Sequence, residues 1–211
     1  MPDRDAILKQ VYEARGDTGK LSDSYDGWAD SYDSDLAAMG YRYPFMITGT
    51  LGRYVSDLDA GILDAGCGSG VIGEALSLVG YRNLSGLDLS EGMLAKAALK
   101  GCYRDLRQEV LGKALSFGDA SFDAIVSSGV MTIGHAPADC LLELARVLKS
   151  DGHFVLTIAE QSWQEGYRDT AQKLAADRII MPIYSTRRFV VLPGARREEQ
   201  SEARVHVMRK L

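Results

Sequence analysis

The sequence predicts an α/β protein built on one doubly wound, mainly parallel sheet of seven strands. From residue 61 onward, short runs of aliphatic residues alternate with segments whose apolar residues recur at helical spacing. Strands and helices that alternate in this way imply crossover connections, which produce parallel strands covered by helices on both faces. The length of 211 residues suits one domain of this kind.

The first forty residues predict helices. Four apolar residues have the i, i+3, i+4, i+7 spacing of a single helical face: Tyr25, Trp28, Ala29 and Tyr32. Such a face has to pack on something, and we expect the acidic residues between its members to keep the other side in water. A second apolar pattern over residues 45–55 predicts a further helix.

The alternating part of the chain gives the strands and their helices. The predicted strands are 61–64, 84–88, 122–126 and 154–158, followed by two terminal strands over 183–191 (interrupted) and 203–208. The predicted helices are 71–79, 91–99, 138–148 and 164–178, and the helix at 138–148 has Leu141, Leu142, Ala145 and Leu148 on one face. Ser90 directly precedes residues 91–99, where its hydroxyl can cap the helix.

Composition excludes several classes of protein. The hydrophobic fraction of 46% and charged fraction of 25% are typical of a globular domain. The net charge of −5 argues against a nucleic-acid partner, because such binding rests on phosphate neutralisation. No apolar run approaches the roughly 18 residues that span a bilayer, and the start at residues 1–5 is not that of a signal peptide. Three dispersed cysteines suit the reducing cytoplasm, and no histidine or cysteine spacing predicts a metal site.

A glycine-rich loop joins the first strand to its helix. Residues 64–70 read Asp-Ala-Gly-Cys-Gly-Ser-Gly and lie at the carboxyl end of a strand, where open α/β sheets bind ligands. Glycines let the backbone approach a ligand, and the next helix offers unpaired N–H groups. The loop therefore predicts a ligand site; the alternative is a tight turn that is merely rich in glycine.

Two ligand classes fit this loop. Residues 68–73 match the dinucleotide pattern G-x-G-x-x-G, and Asp88 lies near the expected distance, which keeps a nicotinamide-dependent oxidoreductase open. Asp64, however, stands at the loop entrance, where its charge opposes a pyrophosphate and suits an ammonium group. Gly73 falls inside the predicted helix. Asp64 therefore favours an amine-bearing, zwitterionic ligand, while Asp88 can accept the ribose hydroxyls of either cofactor or cap the following helix.

Further motifs resemble a known family. With the loop at 64–70, the segments GLDLSEGML at 86–94, SFDAIV at 121–126 and LELARVLKSDG at 142–152 resemble the successive motifs of class I S-adenosylmethionine-dependent methyltransferases. The segments YDGWADSYD, from residue 25, and GYRYP, from residue 40, are similar to a narrower group, the Williams–Beuren syndrome region methyltransferase-like proteins. The resemblance covers most of residues 25–160.

The resemblance implies a Rossmann-like methyltransferase fold in one domain over residues 1–211. It implies an N-terminal helical lid over 1–58, a cofactor-binding core over 59–160, and a C-terminal helix with terminal strands over 161–211. The implied cofactor is S-adenosylmethionine, and the product is S-adenosylhomocysteine.

The resemblance also implies residues that hold the cofactor. Those for its methionine part are Asp64, Gly66, Gly68 and Gly70, with Cys67 in the same loop; Asp88 binds the ribose, and Leu89 and Met93 lie against the adenine. Ser127, Ser128 and Gly129 end the fourth strand beneath the sulfonium, and Tyr25 and Tyr32 close over the site from the lid. Members of the family usually have an acidic residue after the third strand that binds the adenine amino group. In the segment 103–110 this position falls on either Glu109 or Val110. If it is Val110, backbone groups would have to bind the adenine.

Methyl transfer from a sulfonium is an in-line displacement that mainly needs alignment and exclusion of water. A general base is needed only when the acceptor is protonated at the working pH. The candidate catalytic residues are His135, in the loop after the fourth strand, and Tyr32.

Absent motifs narrow the acceptor. No Pro-Pro-aromatic turn of the kind found in nucleic-acid amino methyltransferases follows Ser127 and Ser128, and no paired glutamates flank that strand as in protein arginine methyltransferases. We therefore expect a small-molecule acceptor, no nucleic-acid or membrane partner, and a cytoplasmic location. A nicotinamide-dependent oxidoreductase and a non-catalytic cofactor-binding module remain the alternatives.

Overall fold

A computed structural model describes residues 16–197 and 200–211. The predictions for residues 1–15, including the absence of a signal peptide, lie outside the described residues. Three helices precede the sheet: α1 (Thr18–Trp28), α2 (Tyr32–Ala38) and α3 (Tyr43–Tyr54). No helix in the described ranges is both long and apolar enough to cross a membrane.

One mixed sheet forms the centre of the molecule. Its strands are β1 (Ile62–Ala65), β2 (Leu84–Asp88), β3 (Tyr103–Gln108), β4 (Phe122–Met131), β5 (Leu148–Ala159), β6 (Ile180–Ser185), β7 (Phe189–Val190) and β8 (Glu202–Lys210). The strand order is β3-β2-β1-β4-β5-β8-β6, with the two-residue β7 beside β8. Strands β1 to β5 are parallel, and β8 runs antiparallel to both β5 and β6. The predicted mainly parallel α/β fold class is confirmed, with β7 as a short addition to the seven-stranded path.

The remaining helices follow the strands that they cover: α4 (Val71–Leu78), α5 (Glu91–Leu99), α6 (Cys140–Val147) and α7 (Arg168–Ala176). A helical turn, Glu160–Ser162, and a π-helical turn, Trp163–Tyr167, precede α7. Gly166 in the π-helical turn has φ +150°. The predicted helix over 164–178 is therefore shorter than expected, because its first turn departs from α-helical geometry.

The sheet separates two hydrophobic clusters, because successive strand residues point to opposite faces. In β1, Ile62 packs with the N-terminal helices, whereas Leu63 packs with α6 and α7. In β4, Ala124 and Val126 belong to the first cluster and Ile125 to the second. Both faces of the central strands are thus buried, as expected for parallel strands.

Two predicted helical patterns were wrong in detail. The aromatic residues of the N-terminal pattern do not lie on one helix, because α1 ends at Trp28 and α2 begins only at Tyr32. Leu142 was predicted to lie on the apolar face of α6, yet its side chain is 52% exposed, while Leu141 is buried. Adjacent helical residues are about 100° apart, so only one of the two leucines can face the sheet.

The strand order reverses between β1 and β4. In an open α/β sheet this reversal leaves a crevice at the carboxyl ends of the strands. The loops that follow β1, β2 and β4 meet there, and the N-terminal helices cover them.

Candidate active site

A cavity of about 490 Å³ lies at the carboxyl ends of β1, β2 and β4. This volume is within the range of small-molecule sites. Ten of the predicted site residues line it: Gly66, Gly68, Asp88, Leu89, Met93, Glu109, Val110, Tyr25, Tyr32 and His135. The described residues contain no cluster of three histidine, cysteine, aspartate or glutamate side chains that could hold a metal ion.

Two glycines of the loop after β1 are required for different reasons. Gly66 has φ +79°, and a Cβ atom there would lie 2.1 Å from Cγ2 of Val130. Gly68 has φ +53° but no atom within 4 Å of the position of a Cβ, so it borders open space in the cavity. Gly66 therefore permits close packing, and Gly68 leaves room for a ligand.

The Asp88 carboxylate at the end of β2 is held by backbone amides. Its Oδ2 accepts from the Gly68 N–H at 2.8 Å, and its Oδ1 accepts from the Ser90 N–H at 3.0 Å. The cap of α5 comes from Ser90 itself, whose hydroxyl accepts from the Met93 N–H at 3.0 Å, as predicted. Burial raises the pKa of Asp88 against the lowering effect of its backbone hydrogen bonds. Each carboxylate oxygen keeps a second lone pair, which suits a ligand hydroxyl.

The Asp64 carboxylate at the end of β1 has a different environment. It is 1% exposed, its Oδ2 accepts from the Tyr103 hydroxyl at 2.6 Å, and its Oδ1 has no hydrogen-bond partner in the described structure. Burial, reinforced by the charge of Asp88, raises its pKa to about 7, while the Tyr103 hydrogen bond opposes the rise. An unpartnered buried carboxylate oxygen suits a cationic group.

Tyr103 is a site residue that sequence reasoning missed. Its hydroxyl also accepts from the Gly73 N–H at 3.1 Å, and its ring fills the space in which a Gly73 Cβ would lie, at 2.2 Å. Gly73 thus serves the packing of α4 on β3 and does not line the cavity. No signal in the sequence links these positions, because thirty residues separate them.

Acidic residues of the lid contact the cofactor motifs. Asp26 of α1 accepts from the Ser90 hydroxyl at 2.5 Å and from the Gly92 N–H at 2.9 Å. Asp33 of α2 accepts from the hydroxyl of Ser69, in the glycine loop, and from Nζ of Lys100 at 2.8 Å. Asp26 and Asp30, which were expected to keep the other side of the lid helix in water, are exposed, and Asp26 also contacts the start of α5.

Tyr25 and His135 join α1 to the loop after β4. The Tyr25 hydroxyl lies 2.8 Å from Nε2 of His135, and Nδ1 of His135 lies 2.9 Å from the Ile133 carbonyl oxygen. The rings of Tyr25 and Tyr32 meet edge to face, with centroids 6.2 Å apart. Burial lowers the pKa of His135 and raises that of Tyr32, so both side chains are neutral near pH 7.

The comparisons with known proteins agree with this geometry. Residues 63–156 match a family model described as a methyltransferase domain. This match and the fold support a class I S-adenosylmethionine-dependent methyltransferase domain over these residues. Human methyltransferase-like protein 27 is 34% identical over 158 residues, which cover 74% of this chain and 64% of the human protein.

Two further matches to this methyltransferase domain differ in extent. An 18S rRNA (guanine(1575)-N(7))-methyltransferase of the yeast Saccharomyces cerevisiae is 42% identical over 66 residues, 31% of this chain and 24% of the yeast protein. The crystal structure of a TehB-like SAM-dependent methyltransferase from Corynebacterium glutamicum superimposes with a TM-score of 0.62 and 23% identity, covering 88% of this chain and 99% of that one. The chain therefore spans less than two thirds of the length of the human protein and of the yeast protein.

A methyltransferase domain of this kind implies S-adenosylmethionine as the cofactor. The cavity fits it on two observations. The carboxylates of Asp64 and Asp88 give the site a negative character that suits a sulfonium and an ammonium group, and the unpartnered oxygen of Asp64 lies at the glycine loop. The backbone-held carboxylate of Asp88 borders the cavity together with the open space at Gly68.

Four of the predicted cofactor residues are not among the residues that line the cavity: Asp64, Cys67, Gly70 and Ser127. Cys67 is buried with its Sγ 2.9 Å from the position of a Gly86 Cβ, and burial raises the pKa of its thiol. Gly70, with φ +86°, precedes α4 and faces Ala97. These two residues support the loop from behind.

Of the three residues predicted at the end of β4, Ser128 and Gly129 line the cavity and Ser127 does not. The hydroxyl of Ser127 donates to the Ala65 carbonyl at 2.6 Å and is fully buried. Val130 also lines the cavity. Alternation along the strand explains the difference, because Ser127 points to the face opposite Ser128.

Both residues predicted for adenine recognition follow the end of β3 and lie at the cavity. Glu109 and Val110 line it, but the Glu109 carboxylate accepts from the Ser116 N–H, at 3.2 and 3.3 Å, and from the Ser116 hydroxyl. The Glu109 N–H donates to the Asp88 carbonyl at 3.0 Å. The carboxylate of Glu109 is therefore already engaged by its own loop.

Proposed function

We propose that this chain transfers a methyl group from S-adenosylmethionine to a small-molecule acceptor by in-line displacement. The observation that carries the proposal is the cavity beneath α1. Four contacts hold the N-terminal segment over it: the Gly16 N–H to the Gly134 carbonyl at 2.8 Å, Tyr25 to His135, Asp26 to Ser90, and Asp33 to Ser69. A cavity covered in this way can align a small acceptor and exclude water from it.

The cofactor contacts follow from the two strand-end carboxylates. In this proposal Asp64, with Gly66 and Gly68, faces the methionine part, and Asp88 binds the ribose hydroxyls. Leu89 and Met93 pack against the adenine. The assignment of residues 1–58 as lid, 59–160 as cofactor-binding core and 161–211 as C-terminal segment belongs to the same proposal.

The acceptor class distinguishes this chain from one of its relatives. The name of the yeast relative specifies an rRNA guanine as its acceptor. Here the net charge is −5, which disfavours the approach of a phosphate backbone and favours a small acceptor. We also propose a cytoplasmic location and membership of the Williams–Beuren syndrome region methyltransferase-like group.

The first test is isothermal titration calorimetry with S-adenosylmethionine, S-adenosylhomocysteine and NADH. We expect both sulfur nucleotides to bind and NADH to give no heat. Binding of NADH alone would favour the oxidoreductase and overturn the proposal.

The second test measures S-adenosylhomocysteine release with a panel of small phenols, amines and thiols, and with purified rRNA. Release with a small molecule supports the proposal, and release with rRNA alone contradicts the acceptor class. Cofactor binding without release for any acceptor would favour a non-catalytic module.

A further inference from the structure

We propose that Tyr25 and His135 form a two-residue proton relay and that the acceptor is an aromatic hydroxyl compound. This inference rests on the proposed methyl transfer and deepens it. Tyr25 acts as the catalytic residue that takes the acceptor proton, and His135 acts through Tyr25.

The hydrogen bonds of His135 fix the direction of the relay. A backbone carbonyl can only accept, so the 2.9 Å contact with Ile133 places the imidazole proton on Nδ1. Nε2 then carries a lone pair, and the Tyr25 hydroxyl at 2.8 Å donates to it. Burial lowers the pKa of His135, so the imidazole is in the neutral form at neutral pH, with a lone pair on Nε2 that can accept a proton. The tyrosine proton thus points to the histidine.

Both residues border the reaction cavity. Tyr25 and His135 line it beside Tyr32 and Gly129, and Gly129 belongs to the end of β4, next to the glycine loop of β1. The Tyr25 and His135 rings are 5.9 Å apart and meet edge to face. The relay thus lies on the wall made by the lid and the loop after β4.

The proposed step balances. The acceptor oxygen forms a bond to the methyl carbon, and the carbon–sulfur bond breaks with its electron pair going to sulfur. The acceptor proton moves to the Tyr25 oxygen as the Tyr25 proton moves to Nε2 of His135. Neutral acceptor and cationic cofactor become neutral methyl ether, neutral S-adenosylhomocysteine and an imidazolium, which afterwards loses its proton to water.

The chemistry of the relay selects the acceptor. A weakly basic aromatic amine is unprotonated at neutral pH and attacks through its own lone pair, and a carboxylate is already ionised, so neither needs a base before attack. A neutral hydroxyl is a weak nucleophile until its proton is removed. The aromatic rings of Tyr25, Tyr32 and His135 offer faces and edges that suit a flat acceptor, which points to a phenol.

The test uses phenols matched with pyridines of the same shape, because a ring nitrogen is methylated without losing a proton. Rates of S-adenosylhomocysteine release are measured for the wild type, Tyr25→Phe and His135→Gln. We expect kcat with phenols to fall about 100-fold or more in both variants. Rates with pyridines and the KM for S-adenosylmethionine should stay within about threefold of the wild type.

A second tyrosine–histidine pair provides the matched control. Tyr54 of α3 and His153 of β5 have ring centroids 5.8 Å apart and do not line the cavity. Tyr54→Phe and His153→Gln should leave both acceptor classes unaffected. If kcat falls equally with phenols and pyridines in the Tyr25 and His135 variants, the pair is only a structural contact, and the relay is overturned.

Cofactor binding separates this inference from the proposed function. If calorimetry detects S-adenosylmethionine binding but the wild type methylates no phenol, the hydroxyl assignment is wrong. If the cofactor does not bind, the proposed function itself fails. The tautomer is tested without turnover by nitrogen-15 NMR of His135. A protonated Nδ1, with an Nε2 shift that moves in Tyr25→Phe, supports the relay, and a protonated Nε2 overturns it.

Discussion

Asp64 and Asp88 end neighbouring parallel strands of one sheet, yet the protein treats the two carboxylates differently. Asp88 receives a backbone N–H on each oxygen. Asp64 receives one tyrosine hydroxyl, and its second oxygen is buried without a partner in the described structure. The pKa of Asp64 rises to about 7 by burial, whereas backbone hydrogen bonds restrain that of Asp88.

The difference indicates two kinds of ligand contact. Rigid amides keep Asp88 oriented before a ligand arrives, so it can accept hydroxyls without rearrangement. Asp64 is costly to ionise in the free protein and gains most from a cation that supplies its missing partner. The fold alone orients the Asp88 carboxylate, whereas the Asp64 carboxylate acquires its second partner only when a ligand binds.

The largest effect is expected from Gly68→Val, because Gly68 lines the cavity and donates its N–H to Asp88. A valine side chain would occupy the open part of the cavity, and its backbone disfavours the left-handed φ of +53°. We expect the affinity for S-adenosylmethionine, measured by calorimetry, to fall more than about 100-fold.

Gly101→Val is the matched control for this variant. Gly101 has φ +64° and open space around it, but it does not line the cavity. Its substitution introduces the same backbone strain without a ligand clash. An equal loss of affinity in the two variants would show that strain, and not the clash, is responsible.

Asp88→Ala should have the next largest effect. It removes charge-assisted hydrogen bonds to the ribose and leaves the Gly68 and Ser90 N–H groups without an acceptor. We expect cofactor binding to weaken by about 1.5–3 kcal/mol, or roughly 10- to 150-fold. Unchanged affinity in calorimetry would remove Asp88 from the ribose site.

Asp64→Asn should change the pH dependence. The pKa of Asp64 rises from its ordinary 3.8 to about 7 on folding. Between these values the folded protein holds a proton that the unfolded chain has released. The free energy of unfolding of the ligand-free protein should therefore decrease as pH rises from about 4 to 7. Denaturant unfolding at several pH values measures this slope, and the asparagine variant should lack it.

Cofactor affinity should have the opposite slope. An ammonium group prefers ionised Asp64, so binding below pH 7 releases a proton and strengthens with pH, by at most about tenfold per pH unit. Calorimetry in buffers of different ionisation enthalpy detects the released proton. Identical slopes for the wild type and Asp64→Asn would mean that another group titrates.

Local patterns were sufficient to predict the elements of the core. Strand β2 and the Ser90 cap were predicted at the positions that the structure gives, because each depends on neighbouring residues. The glycine loop and Asp88 were predicted to share one site, since the carboxyl ends of parallel strands meet at one edge.

Long-range contacts escaped prediction. Nothing in the sequence joins Asp33 to Ser69, 36 residues away, or Tyr25 to His135, 110 residues away. The burial of Asp64 behind Tyr103 depends on Gly73 admitting the tyrosine ring, a condition of tertiary packing. Periodicity described the acidic face of the lid but not what it would contact.

Glu109 follows the end of a third strand, β3, and its carboxylate can be compared with those of Asp64 and Asp88. Its substitution should have the smallest effect on cofactor affinity. Unlike Asp64 and Asp88, its carboxylate accepts from the N–H and the hydroxyl of Ser116, within its own loop. If adenine is read by backbone groups near Val110, Glu109→Ala should change cofactor affinity in calorimetry by less than about threefold, with Glu109→Gln as the conservative comparison.

A loss of tenfold or more in Glu109→Ala, restored in part by Glu109→Gln, would instead assign adenine recognition to the Glu109 side chain. Ser116→Ala separates the two cases. It frees the Glu109 carboxylate from the hydroxyl of Ser116, so affinity should rise if Glu109 reads the adenine amino group and remain unchanged if it only orders the loop. A carboxylate already satisfied by its own loop has little to gain from a ligand, which is the reverse of Asp64.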